Sequence, residues 1–248
     1  MTVARVGELS PRMVEVTLHG PELVGFSVDE PAASVRVLLP EPGTDRLVVP
    51  TWTGNEFLLP DGTRPTIRTL TPRHFDAEAG ELTVAVVVHG TGAASAWARA
   101  AGPGRPAAVS GPGRGYAVPP GAASFLLAGD ETALPAIVQL LEALPGGAAV
   151  AVHVELAAPD ARIPLPERVG ATVAWHDLAP GRPPGTALVE AVRRAAVEAD
   201  THVWVAGEAA AVQRIRRLLF EERAVPRGRA TVRGYWKHGR SAQSGGEG

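Results

Sequence analysis

The stretch that most constrains the fold is Ser124-Phe125-Leu126-Leu127-Ala128 running into Gly129-Asp130-Glu131-Thr132-Ala133-Leu134-Pro135-Ala136-Ile137. A short apolar run ends at Gly-Asp, an Asp-Glu-Thr group is able to cap the next element, and apolar residues at helical spacing follow at once. This reads as a parallel strand feeding a helix whose N-terminus sits at the strand's carboxyl end. Further strands over 149–155, 171–176, 202–206 and 230–236 alternate with helices over 133–144, 186–199 and 208–223. That alternation implies a parallel sheet with right-handed crossovers. Open α/β sheets receive nucleotides at such strand ends, because free backbone N–H groups and the positive end of the helix dipole face an anion there.

The first part of the chain has another rhythm. Short strands over 13–18, 34–39, 66–71 and 82–89 are separated by turns such as Pro40-Glu41-Pro42-Gly43 and Pro60-Asp61-Gly62. One helix over 93–101 interrupts them before the segment 105–109 closes the set. Short strands with Gly/Pro/Asp punctuation predict a small antiparallel barrel. A length of 248 residues suits two domains, with expected bounds of 1–118 and 119–240. The polar tail at 241–248 is expected to be frayed or disordered.

Composition removes several classes of function. Hydrophobic residues at 45% and charged residues at 20% permit a proper core. A net charge of −2 gives no general drive toward nucleic acid or an anionic membrane. The absence of cysteine excludes disulfides, Fe–S clusters, thiolate metal sites and a cysteine nucleophile. The seven histidines show no i, i+3 or i, i+4 pairing, so no bound catalytic metal is expected. There is no secretory apolar segment and no run of about 18 apolar residues. A cytoplasmic protein is therefore expected, and a monomer fits.

Two clusters in the barrel segment carry chemistry. In Arg68-Thr69-Leu70-Thr71-Pro72-Arg73-His74-Phe75-Asp76, alternation sends Arg68 and Leu70 to one face and Thr69 and Thr71 to the other. A flavin held on a barrel needs a cation for its pyrophosphate, a wall for its ring and hydrogen-bond partners near its reactive nitrogen, and this strand offers all three. In His89-Gly90-Thr91-Gly92-Ala93-Ala94-Ser95-Ala96-Trp97-Ala98 a strand end passes through glycines into a helix start, a cradle for a pyrophosphate. Taken singly, Arg68 and Arg73 also read as solvated strand arginines, and the glycine turn as an ordinary strand–helix connection.

Together the blocks resemble the siderophore-interacting protein family, whose signature is Arg-x-Tyr-Thr-x-Arg-x-Phe-Asp. Val88–Ala98 resembles the family's next block, Gly129–Ile137 its nucleotide-side turn, and Val205-Ala206-Gly207-Glu208 and Gly234-Tyr235-Trp236-Lys237 the last two. The resemblance covers nearly the whole chain in the family order. It implies a ferredoxin-NADP reductase-like fold: an N-terminal antiparallel FAD-binding barrel followed by a C-terminal α/β domain for NADPH or NADH. The implied FAD contacts are Arg68, Thr69, Leu70, Thr71, Val88, His89, Gly92, Ala94, Ser95, Tyr235 and Trp236. The implied NAD(P)H contacts are Gly129, Asp130, Glu131, Thr132, Ala133, Gly207 and Glu208. The implied activity is reduction of a ferric siderophore, with Lys237, Arg240 and Arg114 as a basic patch for an anionic acceptor; a solvated basic tail is the other reading of that patch. The family's Tyr is Leu70 here, which removes aromatic stacking from the ring wall. Two alternatives stay open: a flavin reductase with another acceptor, such as a quinone or a biosynthetic partner, and a flavin- or siderophore-binding module without turnover.

Other features read as structural. Gly111-Pro112-Gly113-Arg114-Gly115 is followed by no helix and so fails the dinucleotide fingerprint; it reads as the junction between domains. His153, His176 and His202 read as satisfied sheet residues, Trp175 and Trp204 as core, and Arg193, Arg194, Arg214, Arg216 and Arg217 as solvated helix faces. Arg162 is a candidate for a 2′-phosphate or, equally, a solvated loop arginine.

Overall fold

Alternating apolar residues build the first half of the chain into two sheets. The computed structural model describes residues 1–41 and 43–239. Pro42 of the expected turn, Arg240 of the expected basic patch and the tail at 241–248 lie outside the described residues. The described chain forms two compact units, Met1–Gly115 and Tyr116–Gly239.

The first unit runs β1 (Thr2–Ser10), β2 (Met13–His19), β3 (Val35–Leu38), β4 (Thr51–Trp52), β5 (Phe57–Leu58), β6 (Ile67–Leu70), β7 (Pro72–Asp76), β8 (Glu81–Val87), α1 (Ala93–Ala100) and β9 (Ala108–Ser110). Antiparallel sheets of order β1-β2-β8-β7 and β6-β3-β9 make up the barrel. Val16, Leu18, Val35, Val37, Leu82 and Val84 fill it. On the opposite face of the same strands, a buried Thr17–Thr83 hydroxyl pair, 2.9 Å apart, satisfies two polar groups that are also covered.

β6 and β7 are separated by Thr71 alone, and there the chain leaves one sheet for the other. This corner corrects the expected alternation: Thr69 is exposed but Thr71 is buried, so the two do not share a face. Strand period holds only while the strand stays in one sheet. β4 and β5 belong to neither sheet and form a separate two-stranded arm.

The second unit runs β10 (Ser124–Asp130), α2 (Leu134–Ala143), β11 (Ala149–Leu156), β12 (Ala171–Asp177), α3 (Thr186–Arg194), β13 (His202–Glu208), α4 (Ala209–Arg217) and β14 (Ala230–Trp236). Its five strands are all parallel, in the order β12-β11-β10-β13-β14. Leu126, Ala128, Val203 and Val205 pack against Leu188 and Val192 of α3 and Val212 and Ile215 of α4. α3 ends at Arg194 rather than 199, because Ala195 turns extended and lets Ala195 and Val197 reach that core. α4 ends at Arg217 and passes into a π-turn over Leu218–Glu222.

Two expectations change here. Trp175 is half-exposed, since its strand β12 is a sheet edge, and the Arg162 guanidinium lies over its ring at 5.8 Å. Arg216 is half-buried and donates to the Val232 carbonyl at 2.7 Å, tying α4 to β14; Arg214 is half-buried too. Arg193 is exposed but paired with Glu222 at 2.7 Å. Trp204 is fully buried, as a core residue should be.

Candidate cofactor and nucleotide sites

In the first unit a small apolar cluster brings the two flavin blocks together. Val86, Val88 and Ala98 are buried, and Leu70 of β6 and Ala94 and Trp97 of α1 pack on them. Leu70 therefore turns part of its side chain into the barrel, which a bare alternation pattern does not reveal. Arg68 is half-buried, its Nη1 donates to the Ile67 carbonyl at 2.8 Å, and burial pushes its guanidinium pKa down. A partly desolvated cation gains from an anionic partner, so the site is suited to a pyrophosphate.

The turn from β8 to α1 is held from within. The Ser95 hydroxyl accepts from the His89 N–H at 3.0 Å and donates to the His89 carbonyl at 2.8 Å. Ser95 is thus buried and fixes the turn's shape, and the Val88 N–H is donated to the Arg12 carbonyl at 2.7 Å. Arg99 reaches back to the Gly90 carbonyl at 2.9 Å. Gly92 caps α1 with no side-chain hydrogen bond, and a Cβ at Gly90 or Gly92 would meet nothing within 4 Å. The helix start is thus open at the place where its dipole favours an anion. These residues fit the phosphates of a dinucleotide.

The strand ends of the second unit are organised differently. Asp130 is buried, and its Oδ1 accepts from the Thr132 N–H at 2.9 Å and the Thr132 hydroxyl at 2.5 Å. Its Oδ2 accepts from the Glu208 N–H and from the Trp236 indole N–H, both at 2.8 Å. Gly207 is required beside it: a Cβ there would lie 2.6 Å from Asp130 Oδ2. Gly129 allows the following turn to close, since its Cβ would lie 2.3 Å from that of Ala133. Glu208 accepts from the Ala211 N–H at 2.9 Å and the His238 N–H at 3.2 Å. Glu131 accepts from the Ala157 N–H at 2.6 Å. Burial pushes the Asp130 carboxyl above its ordinary value, against the pull of its hydrogen bonds.

Gly129, Asp130, Glu131, Thr132, Ala133, Gly207 and Glu208 thus meet in one place, as their spacing in two strand ends implies. Trp236, assigned from sequence to the flavin, is bonded to this nucleotide-side cluster, and Tyr235 packs edge-on against Trp204 at 6.4 Å. Sequence reading missed Glu155, which is buried and accepts from the Gly185 N–H at 2.5 Å and the Leu188 N–H at 2.9 Å. No local signal marks it, because its partners lie some thirty residues further on. Burial raises its carboxyl as well. His153 and His176 hydrogen-bond to each other at 2.9 Å, and desolvation lowers both imidazoles. Lys237 is exposed after β14, and Arg114 is exposed in the first unit. Among the described residues no group of three or more His, Asp and Glu could hold a metal ion, and no helix is long and apolar enough to cross a membrane.

Comparison with known proteins decides the family. A family model described as "Siderophore-interacting FAD-binding domain" matches residues 2–116, and one described as "Siderophore-interacting protein" matches residues 122–239. The crystal structure of a siderophore utilization protein from T. fusca superposes with a TM-score of 0.85 at 36% identity, covering 98% of this chain and 93% of that one. The chain belongs to the siderophore-interacting protein family.

The ferric vibriobactin reductase ViuB of Vibrio cholerae is 27% identical over 95% of this chain and 88% of its own. The NADPH-dependent ferric-chelate reductase of Escherichia coli is 29% identical over 95% and 91%. The ferredoxin reductase in carbazole 1,9a-dioxygenase has a TM-score of 0.69 at 14% identity, covering 94% of this chain and 67% of that one, which places the family on the ferredoxin-reductase-like fold. The first unit is accordingly an FAD-binding barrel, and the protein is of an oxidoreductase family.

Proposed function

We propose that this protein passes electrons from NADPH or NADH, through FAD, to a ferric siderophore, releasing Fe(II) in the cytoplasm. The observation that carries the reading is the apolar cluster of Val86, Val88 and Ala98, on which both Leu70 of the Arg68 strand and Ala94 at the open start of α1 pack. The names of the two reductases to which the chain is similar supply the acceptor.

Bound FAD would supply the conversion of a two-electron hydride donor into single-electron steps. The chain's own residues bind and orient. Arg68 and the α1 start neutralise the pyrophosphate, Ser95 fixes the turn, and Leu70 walls the ring by dispersion in place of the family's Tyr. At the strand ends of the second unit, Asp130 fixes the Trp236 indole and the Glu208 turn against which the nicotinamide nucleotide docks. Arg162, held over Trp175, is the group for a 2′-phosphate and would favour NADPH. Lys237, exposed just after β14, draws in an anionic ferric chelate. Outer-sphere reduction of chelated iron asks for no ligand from the protein.

Purified protein tests the reading. It should be yellow or take up FAD, be bleached anaerobically by NADPH or NADH, and be reoxidised by a ferric catecholate or hydroxamate. Bleaching without reoxidation by any ferric chelate would leave a flavin reductase for another acceptor. Refusal of FAD would leave only a binding module.

A further inference from the structure

The arm formed by β4 and β5 is a feature that neither the barrel nor the proposed chemistry absorbs. No large apolar side chain between Leu47 and Leu59 reaches the buried core. Trp52 is 54% exposed and Val49 is 70% exposed. Trp52 pairs with Phe57 across the two strands, with ring centroids 4.9 Å apart at 57°. One side of the indole is therefore backed by a second ring while about half its surface is open. The backbone is well tied: the Thr53 N–H donates to the Glu56 carbonyl at 2.9 Å, and Arg64 pairs with Glu56 at 2.5 Å. A two-stranded ribbon with uncovered aromatics is a marginal structure in water and gains from a flat apolar occupant.

The register of the barrel says where this arm stands relative to the flavin strand. β3 and β6 pair from Val35↔Leu70 to Leu38↔Ile67, and the Leu39 N–H then donates to the Thr66 carbonyl. The arm, lying between residues 39 and 66, thus springs from the Ile67 end of β6. Leu70 and Thr71 are at the other end, about 10 Å away at the usual rise per strand residue, and Arg68 lies between. A dinucleotide with its ring at Leu70 and its phosphates at Arg68 has its second half directed past Ile67, toward the arm.

We infer that the arm is the adenine subsite of the cofactor, with the Trp52 indole, backed by Phe57, stacking on the adenine of FAD. This rests on the reading that the first unit holds FAD at Arg68 and Leu70. Stacking on an exposed indole is sequence-tolerant and needs no polar contact, which matches an arm whose largest exposed apolar side chains are Trp52 and Val49.

The test compares FAD with FMN, which carries the same ring and lacks the adenosine half. Binding to apoprotein of the wild type, Trp52→Phe and Trp52→Ala is followed by flavin fluorescence and by gel filtration. Trp52→Ala should bind FAD about tenfold more weakly while FMN affinity stays at the wild-type value, and Trp52→Phe should lie between. Unchanged FMN binding also reports that the barrel of the variant is folded. Tryptophan emission should fall on adding FAD to the wild type, and by less in Trp52→Phe. Equal FAD affinity in wild type and Trp52→Ala would overturn the subsite. Parallel loss of FAD and FMN would overturn it too, placing Trp52 at the ring or in the barrel's stability. A change in oligomeric state with unchanged FAD affinity would assign the arm to a second copy of the chain. A wild type that binds neither flavin would remove the FAD reading itself, a result distinct from all of these.

Discussion

The two units treat their helix N-termini in opposite ways. In the second, each helix start at the strand ends receives a carboxylate from the chain: Asp130 at the turn into α2, Glu155 at α3 and Glu208 at α4. In the first, α1 starts at Gly92 with no side-chain cap, and the nearby strand carries Arg68. An anion arriving at α1 meets free positive potential, whereas one arriving at the second unit's turns meets sites already neutralised from within. That difference suits the two nucleotides proposed here. A resident cofactor is best held by its phosphates, and a co-substrate that leaves on every turnover gains little from a tight phosphate cradle.

The largest expected effect comes from breaking the internal caps. Asp130→Asn keeps the shape but offers one acceptor oxygen where two serve four donors, and it sets an amide N–H against N–H groups. It should cost about 3 kcal/mol, read as a lower urea midpoint of the second unit; an unchanged midpoint would mean the carboxylate is not what holds the turn. The pH dependence sharpens the point. Burial raises the Asp130 and Glu155 carboxyls in the folded chain. Their stabilising contribution is then complete below the ordinary carboxylate range and is lost as pH rises through the raised values. The urea midpoint should fall over that window, and Asp130→Asn should flatten part of the slope.

Next in size is the cation of the open site. Arg68→Ala removes a charge-assisted contact of about 1.5–3 kcal/mol and should weaken FAD retention in gel filtration by about ten- to a hundredfold. Retention equal to that of the wild type would place the pyrophosphate elsewhere and end the contrast between the units.

Legibility in the sequence followed the range of the interactions. The turn at Gly129–Ala133 was readable because strand, cap and helix are adjacent, and Asp130 does cap there. β2 and β8 were readable by their apolar runs. β1 was missed because it is a sheet edge with Val3 as its one fully buried apolar residue, and β7 because Pro72 at its start reads as a breaker. The corner at Thr71, the cap from Glu155 and the Trp236–Asp130 bond depend on partners far along the chain. Periodicity carries no information about those.

A smaller effect is expected at the ring wall. Leu70→Tyr restores the aromatic residue of the family signature and should tighten FAD by about 0.5–1.5 kcal/mol, with a shift of the visible absorption bands. Leu70 also packs on Val86 and Val88, so the gain depends on the phenol ring keeping that contact. Unchanged spectrum and affinity would show that residue 70 points into the barrel and away from the flavin.

The smallest effect concerns the exposed cation of the second unit. Lys237 is the chain's one lysine, stands just after Trp236 and is solvent-exposed, in contrast to the buried carboxylates at the strand ends. A solvated charge contributes little to stability but raises the local concentration of an anion, and salt screens it over about 8–10 Å. Lys237→Ala should therefore raise the apparent KM for an anionic ferric chelate about two- to fivefold at low salt. The gap should close as ionic strength increases, with flavin reduction by NADPH or NADH unchanged. Rapid-mixing kinetics of the two half-reactions separate the cases. Slowing only the nicotinamide half-reaction would move this cation from the acceptor to the nucleotide, and the nucleotide's phosphates would then have an open positive partner in the second unit after all.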